Sequence, residues 1–385
     1  MEENQGNRVR LIILIFSLML LQGFMDNIRG VLIPTIKSDF GVNYTNIASM
    51  MFLGSLGYIT ATFTGGMISE KIGQRKLIIL GYGIIFLSFW GISRVTQYYT
   101  FVFFMFLLGC GMGYNTIGAS TLAPKVFIKN QGIMMNLMHF FYGAGSVIGP
   151  RFTGALLIGG LLWRDIYKVS LIVIAVFFLY FCFCPFPKAE QSRTGRSLSI
   201  NEIFTNKKVM LFSLLLGFYV SSEIGIANWL VTYLQDAKGK TPLISASYLS
   251  AYFMIFTFGR LIGGFIMEKI GYIKGLTIFI LSGLICCLIG ILGNDYFIPV
   301  CGFFISIVYP TMITVVMKSF KEGLSSILGI IMTAASGINM FGNWIVGKIY
   351  DLYGAETGFG MIGIYLAMTF LLWLILRREL KDVQA

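Results

Sequence analysis

Long apolar runs separated by short polar connections fill almost the whole chain of 385 residues. A helix that crosses a bilayer needs about 20 apolar residues, and runs of that length predict twelve transmembrane helices. The runs do not alternate polar and apolar positions, as the strands of a membrane barrel would. The pattern therefore predicts an all-α membrane protein. Its helices are expected at 9–36, 45–68, 77–94, 98–121, 132–159, 166–184, 208–234, 244–268, 276–292, 297–317, 325–350 and 358–376.

The longest polar stretch of the chain, 185–207, follows the sixth predicted helix. It is rich in Ser, Thr, Gly and basic residues, a composition typical of a linker. We therefore predict an N-terminal six-helix half at 1–184, a cytoplasmic linker at 185–207 and a C-terminal six-helix half at 208–385.

The two predicted halves share an internal repeat. Gly65–Gly73 and Gly263–Gly271 are identical at seven of nine positions, at a constant offset of 198 residues. Each copy follows the second predicted helix of its half. Parallel repeats of this kind are typical of transporters whose path is formed by the two repeats, so the repeat predicts two pseudo-symmetric halves and a transport function.

Composition and charge agree with a membrane architecture. Hydrophobic residues make up 56% of the chain and charged residues 12%, whereas soluble domains carry about 25% charged residues. Most Lys and Arg residues fall in connections that become cytoplasmic when both termini lie inside, which accounts for the net charge of +12 as a topology signal. We expect a monomer in the plasma membrane, in contact with the lipid bilayer and without a nucleic-acid partner.

The sequence contains no recognisable signature of an enzyme, a metal site or a cofactor site. The six cysteines lie inside apolar runs and lack the spacing of metal ligands. His-Glu-x-x-His, the phosphate-binding loop and Gly-x-Ser-x-Gly are all missing. We therefore predict no enzyme activity, no metal and no cofactor, and we expect a small molecule and protons as partners.

The first predicted helix carries two charged residues at membrane depth, Asp26 and Arg29. Charge in the hydrocarbon region is costly unless it is paired or faces a wet cavity, and the i, i+3 spacing places both groups on one face of a helix. One interpretation is a static pair that holds helices together. The other is a proton site at Asp26, whose proton affinity changes as the cavity opens from one side to the other.

The connection after the second predicted helix has a specific pattern, Gly66-x-x-x-Glu70-Lys71-x-Gly73-x-Arg75-Lys76. It resembles the loop between helices two and three of the major facilitator superfamily. Glycine at the first position permits close helix packing, the glutamate can pair with basic groups, and the second glycine permits a tight turn. The gating residues predicted from this pattern are Gly66, Glu70, Lys71, Gly73 and Arg75.

The second copy departs from the pattern because Ile273 stands where the first copy has Arg75. Arg260 and Glu268, at the end of the eighth predicted helix, are expected to compensate as an ion pair. They complete the predicted gating set.

Within the superfamily, four stretches resemble the fucose–glucose–galactose/proton symporter group: Asp26–Pro34, Tyr219–Leu234, Phe258–Gly264 and Tyr309–Thr311. The resemblance implies a proton-coupled sugar permease that works by alternating access, in which the carboxylate of the first helix carries the proton. That residue is Asp26. Some members carry a second carboxylate in helix four, where this chain has Asn115.

Several other polar residues at membrane depth are candidates for the site. Glu223 and the only histidine, His139, join Asp26 as predicted proton-coupling residues, since intramembrane ionisable groups mark function and histidine titrates near neutral pH. Amides suit sugar hydroxyls and aromatic rings suit sugar C–H groups, although each of these side chains can instead pack between helices. The predicted substrate-binding residues are Asn27, Arg29, Asn115, Asn136, His139, Tyr142, Glu223, Asn228, Trp229, Tyr233, Tyr252, Tyr309, Asn339 and Asn343.

Three other functions stay open at this point. Gly145-x-x-x-Gly149-Pro150 resembles a motif of proton antiporters, which suggests export of small organic compounds or drugs, but it also fits a small-residue packing face. Arg29, Arg151 and His139 suggest an anionic sugar derivative as substrate. A nutrient-sensing receptor with the transporter fold is the third.

Overall fold

The computed structural model describes residues 2–127, 131–184, 206–320 and 324–380. Within these ranges all regular structure is α-helical. The predicted linker at 185–207 lies almost wholly outside them. The helices are α1 (Glu2–Phe40), α2 (Tyr44–Ile72), α3 (Gln74–Ile92), α4 (Tyr98–Val126), α5 (Gln131–Ile158), α6 (Trp163–Phe183), α7 (Lys207–Asp236), α8 (Pro242–Ile270), α9 (Tyr272–Leu292), α10 (Phe297–Ser306), α11 (Val308–Ser319) and α12 (Leu324–Glu379).

The last three helices correspond to three membrane-crossing segments. A single non-helical residue, Ile307, separates α10 from α11, and together they make one apolar span, Phe297–Ser319. Gly354, at φ 85° and ψ 175°, interrupts α12 and divides it into α12a (324–353) and α12b (355–379). Counted this way, the described residues hold twelve segments long enough to cross a bilayer, and the predicted all-α membrane fold is confirmed.

The chain forms two compact units, Met1–Ser192 and Arg193–Ala385. In the first unit, α1 packs against α5, and α4 packs against α2 and α3. In the second unit, α12 packs along α7, and α10 packs against α8 and α9. Large aromatic side chains such as Trp163, Trp229 and Trp373 are fully buried.

Glycines bring the helix backbones of the first unit into direct contact. A Cβ atom on Gly145 would collide with the carbonyl oxygen of Leu20, and one on Gly23 would collide with that of Tyr142. Small residues at such crossings drive helix association where lipid removes the hydrophobic force between helices. Gly149, which contacts the backbone of Phe24 in the same way, completes this crossing of α1 and α5. The Gly145/Gly149 pattern is therefore a packing face in this protein.

The internal repeat ends in the same turn in both units. Gly73 joins α2 to α3 at φ 84°, and Gly271 joins α8 to α9 at φ 81°. Each donates its backbone N–H to the carbonyl four residues earlier, Ser69 and Met267, at 2.9 Å. A positive φ favours glycine, so the predicted tight turn at Gly73 is confirmed.

A partly exposed ion pair ties helix ends together in the first unit. Arg164, at the start of α6, bonds to Asp39 at the end of α1 at 2.8 Å. Its Nε donates to the carbonyl of Val95 at 2.7 Å, and its guanidinium lies 4.2 Å from the ring centre of Trp163. One side chain thus joins α1, α6 and the connection between α3 and α4.

The second unit has an ion pair with a similar arrangement. Lys240, just before α8, lies 3.0 Å from Asp295 in the connection between α9 and α10. Tyr248 donates to the same carboxylate at 2.9 Å, and its ring lies 5.0 Å from the Lys240 ammonium. Enclosure of the charges by aromatic rings reduces the solvent screening that weakens ordinary surface pairs.

We expect Gly145→Ala to lower the thermal unfolding midpoint of the purified protein, because its Cβ would push α1 away from α5. Overpacking of this kind typically costs about 1–3 kcal/mol. The matched control is Gly337→Ala in α12a, where a Cβ would meet nothing within 4 Å and where alanine is the better helix former. Equal midpoints for the two variants in the same detergent would contradict the crossing described above.

Candidate functional site

Asp26 lies midway along α1 and is held by a tyrosine on a neighbouring helix. The Tyr142 hydroxyl on α5 donates to Asp26 Oδ2 at 3.0 Å. Arg29, one turn further along α1, is close enough for its charge to act on Asp26, and its Nη1 approaches Gly54 of α2. Asp26 and Arg29 are both half-buried. The structure thus brings three of the predicted site residues, Asp26, Arg29 and Tyr142, to one place.

Three residues that the sequence did not single out extend this group. The Tyr58 hydroxyl on α2 donates to Thr116 Oγ1 on α4 at 3.3 Å, and Gln22 Nε2 donates to the same oxygen at 2.8 Å. Tyr58 is also within electrostatic range of Asp26. The i, i+4 spacing of Gln22 and Asp26 on α1 is the one sequence signal that places them on a common helix face.

Asn115 lies next to this network with its amide unsatisfied. It is 4% exposed, and among the described residues neither its nitrogen nor its oxygen has a hydrogen-bond partner. Gln22 Oε1 is likewise buried without a hydrogen-bond partner among the described residues. Both side chains border a narrow gap, too small to hold a water molecule, whose other lining residues are Leu18, Met25, Tyr82, Ile85 and Met112. Buried polar atoms without partners cost about 1–3 kcal/mol each, so widening of this gap would let the amides bond a hydroxyl group or a water molecule.

These residues form what we call the N-terminal polar cluster. Its members come from four helices of one unit, α1, α2, α4 and α5. They provide a carboxylate, a guanidinium, hydroxyl groups and amides within an apolar surround. The members are Gln22, Asp26, Arg29, Tyr58, Asn115, Thr116 and Tyr142.

Asn27 bonds within the first unit in this structure, and its predicted contact with substrate stays a prediction. Its Nδ2 donates to the Gly23 carbonyl at 2.9 Å and to Ser146 Oγ at 3.0 Å, and the residue is 4% exposed. Asn27 therefore fixes the crossing of α1 and α5. Asn27 has this role because it lies on the same face of α1 as Gly23, where α1 and α5 are in contact.

The structure says little about the two other predicted site residues on α5, His139 and Asn136. His139 lies one turn before Tyr142, and its side chain is exposed. The side chain of Asn136 falls outside the described residues. Proton coupling by His139 and substrate binding by both residues stay predictions.

Glu223 and Arg260 pair in the second unit. Arg260 Nη2, midway along α8, lies 3.4 Å from Glu223 Oε1, midway along α7. The two side chains are 28% and 21% exposed, and the guanidinium lies 4.5 Å from the ring centre of Phe256. Tyr219 and Tyr252 are within electrostatic range of Glu223. We call Tyr219, Glu223, Tyr252 and Arg260 the C-terminal polar cluster.

The predicted pair of Arg260 with Glu268 is wrong. The two residues are eight positions apart on α8, about 12 Å along the axis, and Glu268 is exposed. Glu223 lies on the adjacent helix at the level of Arg260. The nearest acid in space was therefore on another helix.

The C-terminal polar cluster also holds the break between α10 and α11. Pro310 has no N–H, so the Ser306 carbonyl loses its helical partner. Arg260 Nε donates to that carbonyl at 3.3 Å, and the Tyr219 hydroxyl donates to the Ile305 carbonyl at 2.7 Å. Tyr309 stacks on Tyr219 with ring centres 6.4 Å apart, which places this predicted substrate residue beside the cluster.

The three predicted amides of the second unit bond to one another. Asn343 Nδ2 on α12a donates to Asn339 Oδ1 at 2.8 Å, and Asn228 Nδ2 on α7 donates to Asn343 Oδ1 at 3.4 Å. All three are at most 8% exposed. The Asn228–Asn343 bond joins α7 to α12a, whereas the Asn343–Asn339 bond lies within α12a, and the contact of these amides with substrate stays a prediction.

Two of the predicted substrate aromatics are packed inside the second unit. Trp229 and Tyr233 are 0% exposed. Trp229 stacks on Tyr350 with ring centres 5.0 Å apart, and Tyr233 stacks on Phe359 at 4.3 Å. Both lie on the face of α7 that packs against α12, and their contact with substrate stays a prediction.

The predicted gating loop is described only in part. The surroundings of Gly66 and the side chain of Glu70 fall outside what the structure describes, and Lys71 is exposed. Arg75 Nη2, at the start of α3, donates to the Cys182 carbonyl at the end of α6 at 2.8 Å. This bond joins two helix ends of the first unit, and the gating roles stay predictions.

Comparisons with known proteins identify the family. The family model described as Major Facilitator Superfamily matches residues 15–338 of this chain. The chain therefore belongs to the major facilitator superfamily and is a multi-pass membrane transporter rather than an enzyme. This confirms the family resemblance recognised in the sequence.

Individual relatives are distant. The chain is 24% identical to Bypass of stop codon protein 6 of Saccharomyces cerevisiae over 351 residues, which are 78% of this chain and 69% of that protein. It is 21% identical to Protein TsgA of Escherichia coli over 386 residues, 97% of each chain.

Solved structures share the fold at low identity. A bacterial homologue of the human lysosomal transporter Spinster has a TM-score of 0.81 at 13% identity and covers 96% of this chain and 97% of its own. A D-xylose-proton symporter has a TM-score of 0.79 at 13% identity with the same coverage. The fucose:proton symporter FucP of E. coli has a TM-score of 0.65 at 18% identity, covering 96% and 99%.

Asn343→Ala is expected to destabilise the protein without weakening substrate binding. The change removes the side-chain hydrogen bonds of Asn343 to Asn228 and Asn339, and a lost hydrogen bond costs about 0.5–1.5 kcal/mol. Thermal unfolding and the KM for transport measure the two effects separately. Gln97→Ala, at an exposed position whose side chain makes no capping hydrogen bond, is the control. An unchanged unfolding midpoint with a raised KM would show instead that Asn343 binds substrate.

Proposed function

We propose that this protein is a proton-coupled symporter of a monosaccharide or a related sugar, acting by alternating access. The observation that carries the proposal is the Asp26 carboxylate, half-buried at midspan and bonded to Tyr142 at 3.0 Å. We place both termini in the cytoplasm because of the Lys and Arg distribution, and we place the protein in the plasma membrane because of its resemblance to the symporter group.

Proton coupling needs a group whose charge depends on the state of the transporter. Ionisable residues inside membrane spans commonly form proton relays. At Asp26, the hydroxyl of Tyr142 and the charge of Arg29 favour the carboxylate, whereas the low-polarity surroundings favour the protonated acid. A change in either contact during transport would bind or release a proton.

The chemistry of the N-terminal polar cluster supports a polyhydroxylated substrate. Sugar hydroxyl groups both donate and accept hydrogen bonds, and the unsatisfied amide of Asn115 offers both kinds of partner. Gln22 Oε1 offers a further acceptor. The fucose:proton symporter and the D-xylose-proton symporter named above have the same fold and are called sugar–proton symporters, which supports the same choice for this chain.

Drug export has less support than sugar uptake. Its motivation was the Gly145/Gly149 pattern, and that pattern is accounted for by the backbone contact of α1 and α5. We therefore retain symport as the proposed direction of coupling.

Asp26→Asn is expected to abolish sugar accumulation driven by an inward proton gradient in proteoliposomes. Exchange of labelled for unlabelled sugar without a gradient should continue, since the amide keeps the size and one acceptor of the carboxylate. Asp165→Asn, which removes an acid from the exposed pair with Lys168, is the control. Full accumulation by the Asp26→Asn variant would refute the coupling role.

Asn115→Leu should raise stability and weaken sugar binding together. Replacing a buried amide that lacks partners by an apolar side chain of similar size removes a penalty of about 1–3 kcal/mol. The sugar then loses hydrogen bonds, and its Kd should rise by about tenfold or more. Thermal unfolding and calorimetric titration of the purified variant test both parts. Asn343→Leu is the contrasting variant: the Asn343 amide is already hydrogen-bonded, so its replacement should lower stability rather than raise it. Weaker binding with lowered stability would mean that Asn115 acts only through the fold.

A further inference from the structure

The C-terminal polar cluster has hydrogen-bonding capacity that its own residues leave unused. The Glu223–Arg260 contact of 3.4 Å is longer than the 2.7–2.9 Å usual for charge-assisted hydrogen bonds. The Tyr252 hydroxyl is 0% exposed and has no hydrogen-bond partner among the described residues. Buried polar groups in native structures are nearly always bonded, so this hydroxyl points to a ligand or water that completes it.

We propose that Glu223, Arg260 and Tyr252 bind two adjacent hydroxyl groups of the sugar, and that Arg260 couples occupancy of this site to the break between α10 and α11. The sugar as ligand rests on the proposed function. The link from Arg260 to the break is carried by the geometry of this unit alone.

The chemistry of the three side chains suits a vicinal diol. A guanidinium presents five N–H donors in a fixed fork, and Arg260 uses Nε for Ser306 and Nη2 for Glu223. Its Nη1 donors take part in no hydrogen bond of the described residues and are left for a ligand, next to the unpartnered Tyr252 hydroxyl. A donor beside an acceptor matches neighbouring hydroxyls, each of which donates and accepts.

The position of the pair favours access from water. Glu223 and Arg260 are both partly exposed, and each lies about midway along its helix. Charged side chains at membrane depth face the interior of the bundle or a water-filled cavity rather than lipid. A polar solute in a transport path can therefore reach this site.

Arg260 joins the site to a flexible point of the backbone. Because Pro310 removes the helical partner of the Ser306 carbonyl, Arg260 Nε is the donor that satisfies it. Helices bend at such positions. A sugar that draws the guanidinium toward itself alters this bond, so binding changes the geometry of α10 and α11.

Sugar binding to the purified protein in nanodiscs tests the first part. The probes are L-fucose, D-xylose, D-glucose and D-galactose, followed by the monodeoxy forms of whichever sugar binds. We expect Glu223→Gln and Arg260→Lys to raise Kd by about tenfold or more, the loss expected for a hydrogen bond to a charged group. The matched controls, Glu356→Gln and Arg94→Lys, should leave Kd within about twofold, since their side chains pair elsewhere.

The deoxy sugars identify the bonded hydroxyls. A sugar lacking one of the two hydroxyls should bind the wild type about tenfold more weakly and should be insensitive to Glu223→Gln. Wild-type affinity in Glu223→Gln would overturn the site. Because that change preserves the size of the side chain, a folding defect in the Arg260→Lys variant would not prevent this decision.

Hydrogen–deuterium exchange without sugar tests the second part independently of the ligand. Arg260→Lys should raise amide exchange in peptides covering Phe297–Ser319 by about fivefold, as expected when an ordinary hydrogen bond is lost, and Arg94→Lys should not. Unchanged exchange would overturn the coupling of Arg260 to the break. Failure of every sugar to bind the wild type would overturn the sugar site and the proposed function together, while the exchange result would still decide the role of Arg260.

Discussion

The cost of placing charge and unpaired polar groups inside a membrane governs the arrangement of this protein. Asp26 and Glu223 lie at midspan, where a carboxylate is costly unless other groups compensate it. Asp26 lies beside Arg29 of its own helix and accepts from Tyr142 of α5, and Glu223 pairs with Arg260 of α8. The residues that compensate one acid all belong to the same six-helix unit. Each acid is thus held in a polar cluster of its own unit.

The same requirement applies to the backbone. The proline in the α10–α11 segment frees a carbonyl that lipid cannot satisfy, and Arg260 satisfies it at 3.3 Å. Tyr219 does the same for the preceding carbonyl at 2.7 Å. A break in a membrane helix is therefore stable here only because side chains of α7 and α8 bond to it, and one of those side chains is already paired with Glu223.

Close backbone contact supplies the framework that holds these groups. Gly23 and Gly145 let α1 and α5 touch, and this contact places the Tyr142 hydroxyl within hydrogen-bond distance of Asp26. The turn at Gly73 and its counterpart at Gly271 repeat the same positive φ in both units. The internal repeat is thus visible in sequence because a turn of this conformation accepts glycine with little strain.

The sequence by itself determined the number of spans, the repeat, the family and the position of Asp26 and Glu223 as acids at membrane depth. These follow from local rules, since hydrophobic length, positive φ and isolated charge in apolar runs are all properties of one segment. Only the tertiary structure decided which residue each polar group meets. Arg260 meets Glu223 rather than Glu268, Asn27 meets Ser146, and Trp229 meets Tyr350, because helix crossings bring together residues far apart in the chain. The Asp26–Arg29 stretch was recognisable from spacing alone, whereas its partner Tyr142 is 116 positions away and could be identified only from the packing of α1 on α5.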